Sequence, residues 1–153
     1  MHQPLDKRAA IRGDANVGIE NGRWGEGVAC EFLIMSGFDI IERNVRPCSW
    51  DKRYELDIIA YERKYDIIVF VEVKQHKKRS PLQMRLRSIS RRKKRLLAIA
   101  CRAWLRKTKW QGAYRFDVIE VYGEPEGRTP AEVDHIERVQ LFENNGRYVN
   151  WVA

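Results

Sequence analysis

Apolar and polar positions alternate through the middle of the chain and predict a pair of strands. Residues Tyr54–Tyr61 alternate, with Glu55, Asp57, Ile59 and Tyr61 on one face, which is typical of a half-buried strand. The run Ile67–Val73 is apolar on both faces and predicts a central strand that is covered on both sides. A short charged turn separates the two runs, so we expect them to pair with each other.

The other apolar runs extend this pattern to both sides of the pair. In chain order they predict a helix over Arg23–Ser36, a strand over Phe38–Arg46, a helix over Ser88–Lys107, and strands over Tyr114–Tyr122 and Glu132–Phe142. The order αβββαβ, with one further strand, predicts an α/β fold in which helices flank a mixed β-sheet. Residues 1–21 have no clear period and predict a flexible N-terminal arm, which leaves 22–153 as a single domain.

Helical spacing also predicts which side chains face the core. The first helix has two apolar stripes. The longer one consists of Trp24, Val28, Phe32 and Met35, and the shorter one of Ala29 and Leu33. The predicted core stripe of the long helix is Leu96, Ile99, Ala100, Ala103 and Trp104. Five consecutive basic residues, Arg91–Arg95, surround this helix, so at least one must point towards the sheet.

The end of the central strand carries charge where a buried strand should stay apolar. Glu72 and Lys74 are two residues apart and therefore lie on the same face. Burying an ionised carboxylate is costly unless it is paired or binds a metal. This conflict is the main functional signal in the sequence.

The hairpin register decides whether a second carboxylate joins Glu72. An even-numbered turn centred between Arg63 and Lys64 would place Asp57 opposite Phe70. Asp57 and Glu72 would then be diagonal neighbours on one face, about 7–8 Å apart at the backbone. Two carboxylates at that spacing can share a divalent cation, with Lys74 beside them. An odd-numbered turn would put them on opposite faces.

Charge is distributed unevenly along the chain, which has a net charge of +8. Residues 73–116 hold 16 Lys and Arg and no Asp or Glu, whereas the rest of the chain holds 13 Lys and Arg against 21 acids. A charged surface without a binding role would mix positive and negative residues along the chain. The segregation therefore favours a polyanionic partner such as nucleic acid.

Several classes of protein are excluded by composition. No apolar run reaches about 18 residues and the N-terminus has no apolar signal segment, so we expect no membrane association. Cys30, Cys48 and Cys101 are odd in number and scattered, which favours the reducing cytoplasm over a disulfide framework. No C-x-x-C pair is present and the three histidines lie far apart, so a structural zinc site is not expected.

The spacing of Asp57, Glu72 and Lys74 resembles the PD-(D/E)xK nuclease core. More closely, the chain resembles the YraN-like endonuclease family, which is related to archaeal Holliday-junction resolvases. The similarity is carried by GRWGEGVACEFLIMSGF (22–38), ERN (42–44), ELDIIA (55–60), IVFVEVK (68–74), a basic helix and YRFDVIEV (114–121). It implies a restriction-endonuclease-like αβββαβ core and a metal-dependent endonuclease.

The resemblance also implies roles for individual residues. Asp57, Glu72 and Lys74 would be catalytic, with Asp57, Glu72 and the Val73 carbonyl as ligands of Mg²⁺ or Mn²⁺. It further implies that Glu26, an acid of the first helix, joins the metal site as a ligand and catalytic residue. Periodicity alone does not choose Glu26 over Glu31, and a first-turn acid is also favoured by the helix dipole.

The basic loop and the basic helix supply the expected nucleic-acid contacts. These are Lys77, Lys78, Arg79, Arg91, Arg92 and Lys94. The expected partner is nucleic acid. The resemblance favours DNA, but the sequence itself leaves DNA and RNA open, and a homodimer is a further open alternative.

Three functions remain in competition at the level of sequence. The first is an endonuclease that hydrolyses phosphodiester bonds in DNA, with branched or damaged DNA as candidate substrates. The second is a nucleic-acid-binding protein that keeps the nuclease fold without catalysis. The third is a structural subunit in which Glu72 forms a buried ion pair with Lys74 or Arg53.

Overall fold

A computed structural model describes residues 23–48, 50–79 and 89–141, so the predicted arm over 1–21 lies outside the described residues. The elements, in chain order, are α1 (Trp24–Met35), β1 (Phe38–Val45), β2 (Leu56–Glu62), β3 (Ile67–His76), α2 (Arg91–Thr108), β4 (Ala113–Tyr122) and β5 (Glu132–Ile136). Their order is the predicted one, and the predicted α/β class is confirmed. Neither helix combines the length and the apolar composition that a membrane-spanning helix needs.

The strands form one mixed sheet in the order β1-β2-β3-β4-β5. All neighbours are antiparallel except β3 and β4, which are parallel and are connected through α2. Parallel neighbours require such a crossover. Pairing with β4 also extends β3 to His76, three residues beyond the predicted strand, because Gln75 and His76 continue the ladder opposite Val121 and Tyr122.

The two helices cover opposite faces of the sheet. Ile68 and Phe70 of β3 pack with Leu97 and Trp104 of α2. Val69 and Val71, the alternate residues of the same strand, pack with the core face of α1. Both faces of β3 are therefore buried, as its apolar sequence predicts. Cys30, Cys48 and Cys101 are buried and unbridged.

The β2–β3 turn lies one residue further along the chain than predicted. Glu62 pairs with Ile67 and Ile59 pairs with Phe70, so the turn occupies residues 63–66. Asp66 adopts a positive φ of 56°, which a turn tolerates and a ladder residue does not. The expected opposition of Asp57 and Phe70 is therefore wrong, but the turn keeps an even number of residues and the predicted face is retained.

The core stripes of both helices differ in part from those expected. The buried residues of α2 are Leu97, Ala98, Ala100, Cys101 and Trp104, and those of α1 are Gly25, Ala29, Cys30 and Leu33. Ile99 is 40% exposed and Met35 is 89% exposed, so both were placed wrongly in the core. The sequence of α2 offers two adjacent apolar stripes, and contact with Phe70 and Phe116 selects the one through Leu97 and Trp104.

β5 ends earlier than predicted because the chain turns back onto β4. Arg138 has a positive φ of 56°, and its backbone N–H donates to Asp117 Oδ1 at 2.9 Å. The backbone N–H of Val139 then donates to the carbonyl of Phe116 at 2.8 Å. These bonds replace a continued ladder, so the strand stops at Ile136 rather than at Phe142.

A buried charge network holds β5 and β2 to β4. Arg115 donates from Nε to Asp117 Oδ1 at 3.0 Å and forms an ion pair with Glu62 of β2. His135 Nε2 lies 2.8 Å from Asp117 Oδ2. The Arg115 side chain is 3% exposed and that of Asp117 is fully buried, but each is satisfied by its partners. The network is therefore a structural clamp rather than an open site.

We predict that Asp117→Asn strongly destabilises the protein, because it leaves the buried Arg115 charge without its main partner. The expected loss is about 3–5 kcal/mol, or a fall in Tm of roughly 6–20 °C for a chain of this size. Thermal unfolding followed by circular dichroism measures it. Asp51→Asn is the matched control, because Asp51 also pairs with an arginine, at 2.7 Å, but in an exposed loop. Equal Tm values for the two variants would contradict the structural role of the clamp.

Candidate active site

One end of the sheet gathers the starts of both helices and the charged end of β3. The backbone N–H of Gly25, in the first turn of α1, donates to Gln75 Oε1 at 3.2 Å. A Cβ atom at Gly25 would lie 2.8 Å from that oxygen, so glycine permits the close approach. The contact fixes the next residue, Glu26, beside the end of β3.

Asp57 and Glu72 lie face to face at this end of the sheet. The last recorded β2–β3 pair is Ile58 with Val71, and the next positions outward are Asp57 and Glu72. The two carboxyl groups are hydrogen-bonded to each other, and the backbone N–H of Val73 donates to Asp57 Oδ2 at 2.8 Å. The register shift of the turn thus makes them direct neighbours rather than the diagonal neighbours expected.

Burial and mutual repulsion change the acidity of both carboxyl groups. Burial raises the pKa of Asp57. Burial together with the neighbouring Asp57 charge raises the pKa of Glu72 to about 8. Two carboxylates in contact in a low-dielectric site cannot both ionise without compensation. Without a bound cation, the pair therefore retains a proton near neutral pH.

A lysine of α2 supplies the cation nearest to this pair. Lys93 Nζ lies 3.4 Å from Glu72 Oε1. This confirms that one residue of the basic run points towards the sheet, although Lys93 was not among the residues singled out. Arg53 instead pairs with Asp51, so it is not the partner of Glu72 that the structural-subunit hypothesis considered.

Lys74 extends from β3 on the same face as Glu72. It lies level with Glu120 in the parallel register with β4. Glu120 is 1% exposed and accepts a hydrogen bond from the Tyr122 hydroxyl at 2.5 Å. The half-buried Lys74 therefore stands between two acidic positions, Glu72 along its own strand and Glu120 across the sheet.

Glu26 approaches the pair from the start of α1. Its side chain is 16% exposed, and Arg43 Nη2 lies 4.0 Å from its Oε2. Burial first, and then the charge of Asp57, raise the pKa of Glu26, while a hydrogen bond with Asn44 lowers it. Glu31 is exposed to solvent. The structure therefore places Glu26, and not Glu31, near Asp57, a choice that periodicity alone left undecided.

The donor atoms at this end suit a hard divalent cation. Glu72 Oε2 and Glu26 Oε2 are buried and lack a hydrogen-bond partner among the described residues. Carboxylate oxygens are preferred by Mg²⁺ and Mn²⁺, and Mg²⁺ binds through one or two carboxylates with water filling the remaining positions. Within residues 23–48, 50–79 and 89–141, no three acidic, histidine or cysteine side chains form a ready metal cluster. The chemistry thus fits a two-carboxylate site with Asp57 and Glu72 at its centre.

The six basic residues expected to contact nucleic acid differ in their surroundings. Arg91 and Arg92 are exposed at the start of α2, and Lys94 is half-buried. Lys77 and Lys78 are exposed after β3, with Lys77 Nζ 3.7 Å from Glu124.

Arg79 differs from the other five because two carboxylates pair with it at hydrogen-bond distance. It binds Asp134 at 2.8 Å and Glu132 at 3.0 Å, and its guanidinium lies 4.3 Å from the Tyr122 ring centroid. Arg91 and Arg92 at the start of α2 are therefore more available to a partner than Arg79 is.

Sequence reasoning missed Lys93, and helical phase could have identified it. Lys93, Leu97, Ala100 and Trp104 follow one another at helical spacing, and the last three are buried. Extending this stripe towards the helix start selects Lys93 out of the basic run. The expected stripe through Leu96 and Ile99 was out of phase and could not do so.

Comparison with known proteins places the chain in a family. The profile described as "Uncharacterised protein family UPF0102" matches residues 25–121. A UPF0102 protein of Pelobacter propionicus is 38% identical over 80% of this chain and 81% of its own length. One from Thermotoga petrophila is 36% identical over 76% of this chain and 93% of its own length, and one from Cytophaga hutchinsonii is 32% identical over 69% and 88%. The matched region runs from the start of α1 to the end of β4 and includes every residue of the carboxylate site, so this chain belongs to the uncharacterised protein family UPF0102.

Proposed function

We propose that this protein is a metal-dependent endonuclease that hydrolyses phosphodiester bonds in DNA. The observation that carries the proposal is the contact between the carboxyl groups of Asp57 and Glu72, which brings a second acid to the charged end of the otherwise apolar strand β3. Two carboxyl groups in contact destabilise a sheet unless a shared proton or a nearby cation offsets their repulsion. A hard divalent cation satisfies both carboxylates, and its natural substrate partner is a phosphate group.

Each residue of the site has a defined task in this proposal. Asp57, Glu72 and the Val73 carbonyl would hold Mg²⁺ or Mn²⁺, with Glu26 as a neighbouring acid that orders bound water. The metal, when bound, polarises the phosphate and increases the acidity of water. Lys74 donates hydrogen bonds and positive charge to the phosphoryl oxygens as negative charge builds up on them. The Val73 N–H holds the Asp57 carboxylate in place through its 2.8 Å bond.

The basic surface supports a nucleic-acid substrate. Arg91 and Arg92 are exposed on the turn of α2 that also carries Lys93, the residue in contact with Glu72. A phosphate backbone bound by this turn would pass close to the carboxylate pair. The resemblance to Holliday-junction resolvases favours branched DNA. A cleavage panel of linear, nicked, flapped and four-way DNA, together with matched RNA, with Mg²⁺ or Mn²⁺ tests the substrate class.

A non-catalytic nucleic-acid-binding role is the second candidate. It is favoured by the lack of a ready three-ligand metal cluster among the described residues. In that case the basic face would bind nucleic acid and the Asp57–Glu72 pair would stay protonated. Absence of cleavage of every substrate in the panel with either metal, despite tight binding, would favour this candidate.

We predict that Asp57→Asn and Glu72→Gln each abolish metal-dependent cleavage, because each removes a negative charge that the cation requires. DNA binding should survive or strengthen, since negative charge is removed beside the phosphate path. Lys74→Ala should also lose cleavage but keep metal binding, because lysine donates and does not ligate. Gel-based cleavage assays and calorimetric titration with Mn²⁺ separate these effects.

The matched control is Asp39→Asn. Asp39 is a half-buried strand residue that pairs with Arg63 at 3.5 Å, close to the hairpin turn at the other end of β2 and β3. Cleavage by Asp57→Asn at the unmutated rate would defeat the proposal, as would equal loss of cleavage in Asp39→Asn with its fold intact.

Nucleic-acid affinity should fall steeply with salt, because bound Lys and Arg release condensed counterions from the phosphates. Replacing Arg91, Arg92 and Lys94 together with glutamine should lower the affinity and reduce the slope of log K against log salt by up to about 3. Fluorescence anisotropy with labelled DNA at 50–200 mM salt measures both.

A second triple variant controls for net charge. Arg63, Lys64 and Lys109 are exposed and lie at the hairpin turn or beyond the end of α2. Their replacement by glutamine removes the same charge but should change the affinity far less. Equal losses for the two triple variants would mean that binding is not localised at the start of α2.

Stability without metal should fall as pH rises. The folded-state pKa of Glu72 is about 8 against an ordinary value of 4.5, so the folded protein binds more protons than the unfolded chain between those values. Folding stability therefore decreases with increasing pH across this interval. Tm measured in chelator from pH 5 to 8 should decline, and Glu72→Gln should flatten the decline. A pH profile that the substitution leaves unchanged would show that Glu72 is not the titrating group.

A further inference from the structure

We propose that Lys93 is an internal cation that occupies the carboxylate pair until a divalent metal displaces it. This inference rests on the proposed function and deepens it, because it names the group with which the metal must compete. Lys93 Nζ lies 3.4 Å from Glu72 Oε1, at the site where a metal ligand is expected. Lys93 contacts Oε1 of the same carboxylate whose Oε2 has no hydrogen-bond partner among the described residues, so a divalent metal bound to this carboxylate would lie close to the ammonium and repel it.

The helix holds Lys93 in this place through its own capping. Ser90 is the N-cap residue of α2, and its hydroxyl accepts a hydrogen bond from the backbone N–H of Lys93 at 3.2 Å. Below Lys93, Leu97 and Cys101 continue the same stripe into the core. Burial first, and then the charge of Glu72, raise the pKa of the Cys101 thiol, as expected for a carboxylate close to this stripe. The backbone of Lys93 is thus fixed, and only its side chain can move.

The side chain of Lys93 can leave the pair at little cost. It is 40% exposed, whereas that of Glu72 is 11% exposed, so the ammonium already has access to water. Exposed lysine pairs are weak, because solvent competes for the charge. Glu72 by contrast is held in the sheet and keeps one buried oxygen without a partner among the described residues. A divalent cation would therefore bind a carboxylate that the sheet already holds in position. The displaced ammonium would move towards solvent, where it could contact a phosphate group.

This exchange, in which a divalent metal displaces Lys93 from the carboxylate pair, has a measurable consequence that a purely structural ion pair lacks. If Lys93 competes with the metal, its removal should increase metal affinity, because the competing cation and its repulsion are both lost. If Lys93 merely positions Glu72, its removal should leave metal affinity unchanged or reduce it. The sign of the change therefore separates the two roles.

The test is calorimetric titration of the full chain with Mn²⁺, without nucleic acid. Lys93→Met keeps the length of the side chain and removes its charge, and we expect Mn²⁺ to bind about tenfold more tightly, which corresponds to about 1.4 kcal/mol. Arg95→Met is the matched control. Arg95 is exposed on the same helix two positions further on, and its substitution removes the same charge. It should change Kd by less than about twofold, because long-range repulsion is screened. Lys93→Arg should retain the unmutated affinity.

The outcomes are distinct from those that concern the proposed function. Equal Kd values for Lys93→Met and Arg95→Met, with both proteins folded by circular dichroism, would overturn the exchange while leaving the metal site intact. A higher Kd for Mn²⁺ in Lys93→Met would also overturn the exchange, in favour of a positioning role for Lys93. Mn²⁺ binding that Asp57→Asn does not diminish would overturn the proposed function itself, and the exchange with it.

Discussion

The contact between the Asp57 and Glu72 carboxyl groups is the constraint on which the rest of this site depends. The four-residue turn after β2 places Asp57 opposite Glu72, where Glu72 is buried and Asp57 is half-buried. Their repulsion has to be offset locally. A shared proton, the N–H of Val73 and the ammonium of Lys93 do so. The conformation of this end of the protein follows from that compensation.

The protein contains a second buried charge cluster, and the two differ in a way that bears on function. Around Asp117, every nearby charge has an opposite partner: Arg115, His135 and the N–H of Arg138 surround a single carboxylate. Around Glu72, three acidic side chains come close together, and one oxygen of Glu72 and one of Glu26 have no hydrogen-bond partner among the described residues. A cluster whose groups are all hydrogen-bonded stabilises a fold, whereas buried oxygens without a hydrogen-bond partner need another explanation, and ion binding is one. The contrast supports a ligand-binding role for one end of the sheet only.

The parallel crossover through α2 links the site to the basic surface. Because β3 and β4 are parallel, the helix between them runs antiparallel to both, so its first turn lies beside the last residues of β3. That turn carries exposed Arg91 and Arg92 together with Lys93, which points inward. Substrate-binding charge and the carboxylate pair are thus brought together by topology. The region shared with other UPF0102 proteins, residues 25–121, spans these elements and excludes β5.

Much of this architecture could be predicted from the order of residues. The elements and the α/β class follow from apolar periodicity, since a strand buried on both faces and an amphipathic helix have different repeats. The even number of residues in the turn is enough to place Asp57 and Glu72 on one face. A shift of the turn by one residue at constant length moves the register by two residues, so the faces stay unchanged. The unusual charge at Glu72 in an apolar strand is likewise visible in the sequence.

What only the tertiary structure decided was distance and helix rotation. The direct opposition of Asp57 and Glu72 depends on where the turn lies, which is set by the backbone conformation of Asp66 and by ladder pairing up to Ile67. The choice of Lys93 depends on which of two adjacent apolar stripes of α2 meets the sheet. Both stripes are chemically acceptable, so sequence periodicity cannot choose between them. Packing against Phe70 and Phe116 does, and it turns Lys93 towards Glu72.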